Sequence, residues 1–239
     1  MPQNTSCVRF STLPTLFRSD SRLDQGERLK QFDVLVARLS VLYEDLRIEL
    51  MGIHVEYIPK MDVLDPPQHD SKPQDIGKTR RHYFVRRSLC TLCEIADAVL
   101  AISKCERMKT IAALWKEPSH RSQWKCAVRF FRRRRDLIRK VRNDIGGHFG
   151  DEAALFAIEN ATEASTAKMG LNYNDKGRMS VHLHFAGELA ANAFVRQLEG
   201  ATLQNKLTWL LDEILQPGYR HATNSVNAAV FSHLWHKFR

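Results

Sequence analysis

The sequence predicts a mainly α-helical protein: an antiparallel helical bundle, then a small β-hairpin and further C-terminal helices. Three observations carry this. Apolar residues recur at steps of three and four over long stretches, the signature of amphipathic helices. The period switches once, between residues 169 and 185, to short β-rich segments around a polar turn. Proline and glycine clusters punctuate the pattern at chain positions suited to helix ends. At 239 residues, 44% hydrophobic, the chain is long enough for one packed core, or a core with an appendage.

Residues 1–22 mix Ser, Thr, Pro and Arg without period and read as a disordered tail. From Asp24 to about Met51 the stripe Leu29, Phe32, Leu35, Val36, Leu39, Leu42, Tyr43, Leu46 and Leu50 predicts a long first helix, weakened at Gly52. Pro59, Pro66, Pro67 and Pro73 mark a polar loop from about 56 to 77. The second helix runs from about Thr79 to Met108 on Val85, Leu89, Leu92, Cys93, Ala96, Val99 and Leu100. A break follows at Pro118, and Ser119 or Ser122 caps the third helix, which Gly146 and Gly147 stop near Ile145. Asp151 to Asn160 is a short fourth helix. Met169–Tyr173 and Met179–Phe185, joined by Asn174-Asp175-Lys176-Gly177, are a β-hairpin signal. A helical pattern from Gly187 to about Leu215 breaks at Pro217-Gly218, and Ser225 to Arg239 is a last short helix. The domain reading is a tail (1–22), a helical bundle (23–165), and a hairpin with helical extension of unassigned role (166–239).

Composition excludes several classes. No apolar run approaches the ~20 residues of a membrane helix; one of the longest, Ile95 to Ile102, contains Asp97. Five irregularly spaced cysteines point to a reducing compartment and a cytoplasmic protein rather than a disulfide scaffold. Cys90 and Cys93 have no second Cys-x-x-Cys pair, and on an amphipathic helix read as core. His182 and His184 read as an ordinary strand face, and His233 and His236 as a solvated or phosphate-touching end. No phosphate loop or serine-hydrolase motif is present. No metal or cofactor is expected.

Net charge is +9, and residues 121–150 hold ten basic against two acidic residues, a net +8. Arg129, Arg132, Arg133, Arg134, Arg135, Arg139 and Lys140 are therefore candidates for contact with a polyanion, against the plainer reading of a solvated helix face. Lys78, Arg80, Arg81, Arg86 and Arg87 form a smaller cluster. With Ile138 at zero and about 100° per residue, Trp124, Val128, Phe131, Val141 and Ile145 form one apolar face. Arg142 falls inside it, near +40° on the same count, with Arg135 beside it. An arginine there needs a partner. Either it forms a structural ion pair, with Asp97 as candidate, or it lines a cleft where its planar fork meets phosphate.

The stretch Arg142-Asn143-Asp144-Ile145-Gly146-Gly147-His148 resembles the signature of HEPN-domain proteins: arginine, a polar residue that is often asparagine, a spacer, then histidine near the end of the third helix of a compact bundle. The resemblance spans about residues 24–165. It implies a metal-independent endoribonuclease, in a toxin or antiviral-defence setting, working as a homodimer whose two copies of Arg142 and His148 share one cleft. RNA is then the substrate, and an antitoxin or regulatory protein a possible partner. His148 acts on the ribose 2′-OH or the leaving oxygen, Arg142 steadies charge on the phosphorane, and Asn143 orients a neighbour or the phosphate. Asp97 is a supporting residue. In one subfamily a tyrosine follows the histidine by two residues as the target of modification; here that position is Gly150. The alternative is a non-catalytic HEPN-like module that binds RNA, a nucleotide or a protein.

Overall fold

A computed structural model describes residues 26–54, 73–145, 151–159, 169–173, 179–183, 192–193, 196, 198 and 202–233. Its helices are α1 (Gly26–His54), α2 (Pro73–Ile102), α3 (Glu106–Ala113), α4 (Pro118–Ile145), α5 (Asp151–Glu159), α6 (Leu203–Leu210) and α7 (Gln216–Val226). Strands β1 (Met169–Tyr173) and β2 (Met179–Leu183) pair antiparallel, with Met169 opposite Leu183 and Tyr173 opposite Met179. Residues 174–178, where the sequence places the turn, lie outside the described residues.

α1 and α2 run antiparallel. Arg38 meets Glu94 at 3.2 Å, and further along Glu49 meets Thr91 and Gly52 sits against Phe84. α4 runs antiparallel to α2 in turn, with Arg135 and Arg139 beside Asp97 and Arg142 beside Cys93 and Cys90. The predicted stripes face inward. Phe32, Leu39, Leu89, Leu92, Phe131 and Ile138 are essentially inaccessible to solvent, each contributing roughly 1.5–3 kcal/mol of burial.

Several helix boundaries differ from the sequence reading. α2 begins at Pro73, inside the predicted loop, where proline suits a first helical turn. α6 begins at Leu203 rather than near Gly187, with Thr202 Oγ1 accepting from the Asn205 N–H as its cap. The predicted second helix is two pieces: α2 ends at Ile102, Ser103 Oγ donates to the carbonyl of Leu100, and a turn through Cys105 leads into α3. Pro118 begins α4 rather than preceding a serine cap; proline suits a first helical turn, whose N–H groups have no intrahelical acceptor. Pro217-Gly218 does not break the C-terminal helix at all. α6, a π-helical turn at Leu211–Leu215, α7 and a second π-helical turn at Asn227–Phe231 follow one another without interruption. A proline inside a helix conflicts with the carbonyl four residues earlier; that residue, Glu213, lies in the widened first π turn. Gly218 has a packing reason. A Cβ there would fall 2.6 Å from Leu92 Cδ2, so glycine lets the two backbones approach closely.

This C-terminal rod is the fourth wall of the bundle. Ile214, Leu215, Ala222, Val226 and Ala229 belong to the same core as Phe32 and Phe131. Tyr219 stacks on Tyr43 of α1, centroids 6.0 Å apart, and His221 lies against Phe130 of α4. The core therefore crosses the residue 165/166 boundary. His233 is also not a solvated end. It is fully buried, edge-on to Phe32, with Nε2 3.2 Å from Asp33 Oδ1. His236 lies outside the described residues.

Candidate nucleic-acid site

α4 is the most strongly amphipathic long helix in chemical terms. Trp124, Ala127, Phe131, Ile138 and Val141 fill its buried face, while Lys125, Arg129, Arg132, Arg133 and Lys140 are exposed. Helix periodicity thus sorts the basic run into cations that reach solvent and cations that lean on neighbouring helices.

Three of the arginines expected to meet nucleic acid are already engaged. Arg135 Nε donates to Asp97 Oδ1 at 2.7 Å, and Arg139 Nη2 contacts both oxygens of Asp97 at 3.3 and 3.4 Å. Arg134 lies 3.6 Å from Glu213 and its Cζ sits 5.5 Å from the centre of the Trp209 ring. The fork of Arg135 has turned toward α2 because one carboxylate there serves two guanidinium groups one helical turn apart. All three groups at Asp97 remain more than a third exposed, so each pair contributes no more than about 1 kcal/mol.

The candidate ion pair between Asp97 and Arg142 is therefore not formed. Asp97 is committed to Arg135 and Arg139, one to two turns earlier in α4. Arg142, in the last turn of α4 and half-buried, has no carboxylate within ion-pair distance among the described residues. Its neighbours are the Cys90 and Cys93 thiols. Burial raises both thiol pKa values above the ordinary cysteine range, further helped at Cys93 by Asp97, while the Arg142 charge opposes the rise at each. These cysteines are packed, protonated core groups. Asn143 is exposed beside Arg142. His148 lies outside the described residues, as do Gly146 and Gly147.

Close to the Arg142 end is a polar layer that the periodicity did not reveal. Glu49 of α1 is buried, accepts from Thr91 Oγ1 at 3.0 Å and lies 3.5 Å from Arg87. Its other oxygen, Oε2, is buried with no hydrogen-bond partner among the described residues. Burial raises its pKa above the usual carboxylate value, against the opposing effects of Thr91 and Arg87. Asp144 is also tied down, by Arg196 at 3.7 Å, which in turn meets Glu152 at 2.7 Å. Arg196 lies in a segment whose sequence carries no motif, and only the fold brings it to the end of α4.

Among the described residues no group of three or more His, Cys, Asp or Glu could hold a metal ion, and no helix is long and apolar enough to cross a membrane. No protein-family model, curated protein or solved structure matches the chain.

Proposed function

We propose that the chain is a HEPN-type endoribonuclease that acts as a homodimer on RNA, with Arg142, Asn143 and His148 as its catalytic group. The observation that carries this reading is the contrast along α4. Arg135 and Arg139 share the carboxylate of Asp97, whereas Arg142 sits half-buried with no carboxylate partner among the described residues. A structural arginine at that depth would be expected to have claimed the nearby carboxylate. One without a carboxylate partner among the described residues suits an incoming phosphate.

In the proposed reaction the ribose 2′-OH attacks the adjacent phosphorus and the 5′-oxygen leaves. The products are a 2′,3′-cyclic phosphate and a 5′-hydroxyl end. His148 either accepts the 2′-OH proton or protonates the leaving oxygen, tasks for which an imidazole near its ordinary pKa of ~6.5 is suited at neutral pH. Arg142 stabilises the charge that builds on the phosphorane. The chemistry asks for no metal. The test is cleavage of an oligoribonucleotide in EDTA by wild type, Arg142→Ala and His148→Ala. Each variant is expected to lose about 10²-fold or more. Equal rates in all three would remove the motif from the reaction, and RNA binding without turnover by the wild type would favour the non-catalytic module.

A further inference from the structure

Three surface cavities compete as unassigned sites. One of about 910 Å³ beside the end of α2 mixes the cations Lys104, Arg107, Arg132 and Arg135 with Asp97, Glu106 and Asp136, so the two signs of charge nearly balance in it. Another of about 840 Å³ between α1 and α7 is mainly apolar, with Arg47 and Arg220 at its edge. The third, about 530 Å³ at the start of α4, has one character. Every charged residue lining it is a cation: Lys116, Arg121, Lys125 and Arg129.

We propose that this third pocket, walled by Trp115 and ringed by those four cations, is a distal subsite that takes an unpaired nucleotide of a single-stranded RNA substrate. The proposal rests on the nuclease reading for the far end of the strand. Two of its walls are already fixed. Trp115 Nε1 donates to Ser232 Oγ at 2.8 Å, and Arg121 Nη2 donates to the carbonyl of Ala112 at 3.0 Å. Groups held in this way lose little freedom when a ligand arrives. An indole beside clustered cations is the combination that takes a base and its phosphate together, and the volume is within the ~300–1,000 Å³ of ligand pockets. A base held in a duplex cannot enter, so the pocket selects unpaired strands.

The pocket also lies in line with the candidate catalytic end. Arg121, Lys125, Arg129 and Arg132 follow at steps of four, four and three and share one exposed stripe of α4, which continues to Lys140 and Asn143 and is interrupted by Asp136. From Lys125 to Arg142 is 17 residues of helix, about 26 Å at 1.5 Å each. At ~3.4 Å per stacked nucleotide that is about eight nucleotides. A strand cut at the Arg142 end would thus place a base in the Trp115 pocket about eight nucleotides away.

The experiment uses the full chain carrying His148→Ala, so that RNA is not consumed, with single-stranded oligoribonucleotides of 4, 8, 12 and 16 nucleotides and anisotropy as readout. Affinity is expected to climb up to about 12 nucleotides and then level. In Lys125→Glu/Arg129→Glu the climb should vanish, and the slope of log K against log salt should fall by about 1.4, from two lost single-strand contacts at ~0.7 each. Cys126 is exposed and lines the same pocket, so mass-mapped maleimide labelling at Cys126 gives a second readout. The 12-mer single strand should protect it and a duplex of equal length should not. An unchanged length dependence and salt slope, or labelling that RNA does not slow, would overturn the subsite. Wild type that fails to cleave while length dependence and protection persist would sink the nuclease and support the subsite. Cleavage without either would do the reverse.

Discussion

Replacing Gly218 with alanine separates two readings of the C-terminal helix. If Gly218 were an exposed helical position, alanine would help, by about 1 kcal/mol of helix propensity over glycine. The packing of this helix on α2 opposes that gain with a greater steric cost. The new Cβ would stand 2.6 Å from Leu92 Cδ2, 2.9 Å from Cδ1 and 3.3 Å from Cγ. Leu92 is wholly buried, so its methyl groups have nowhere free to go. Overpacking of that kind costs typically 1–3 kcal/mol, leaving Gly218→Ala destabilised by up to about 2 kcal/mol once the propensity gain is subtracted. Leu92→Ala alone should cost about 2–5 kcal/mol. In the double variant the new methyl occupies part of the vacated space, so the two effects should fall short of additivity by about 1–3 kcal/mol. Urea melts of the four proteins, compared at constant m-value, measure the cycle. Stabilisation of Gly218→Ala by ~1 kcal/mol together with strict additivity would refute the close packing of this helix on α2.

Two further perturbations probe the charged layers. Asp97→Asn strips Arg135 and Arg139 of their shared carboxylate at a cost of no more than about 2 kcal/mol in stability, and should steepen the salt dependence of RNA binding by up to about 1.4 if both guanidinium groups then reach the strand; an unchanged slope would show that they face away from it. Glu49→Gln should alter the pH dependence of stability. Because burial raises the folded-state pKa of Glu49, the native state holds this proton more tightly than the unfolded chain, so wild type loses stability as pH climbs from the ordinary value near 4.5 through the raised one and is level beyond. The variant lacks that loss and should gain on wild type across this window, with Arg87 and Asp45, the charges beside Glu49, unaltered. Urea midpoints whose difference stays constant from pH 4 to 8 would remove Glu49 as the cause.

Periodicity was informative where one residue's side of the helix decides its fate. The stripes Phe32 to Leu50, Val85 to Leu100 and Trp124 to Val141 are each readable from three- and four-residue steps, because burial of an apolar face is a local pattern with a global cause. The turn at Ser103 carries no glycine or proline, so nothing in the local chemistry marks it. Pro217 misleads because the widened turn at Leu211–Leu215 is a backbone accommodation, and Gly218 because its reason is Leu92, more than a hundred residues away. The same limit applies at the site. The wheel correctly puts Arg142 and Arg135 on the inward side of α4, but which of them takes Asp97 depends on the offset of α4 along α2. Arg196 with Asp144, and Glu49 with Thr91 and Arg87, are pairings between distant segments that no spacing announces.

The proposed activity requires the polar group at the end of α4 to handle an RNA phosphodiester through the neighbouring 2′-hydroxyl. Once a cleavage position on an oligoribonucleotide is mapped, that one 2′-OH can be replaced with hydrogen and both end groups analysed by mass spectrometry, in EDTA. The expected outcome is a 2′,3′-cyclic phosphate and a 5′-hydroxyl from the all-ribose strand and an intact bond in the deoxy-substituted one. Cleavage at the substituted position, or a 5′-phosphate end from the unsubstituted strand, would contradict it.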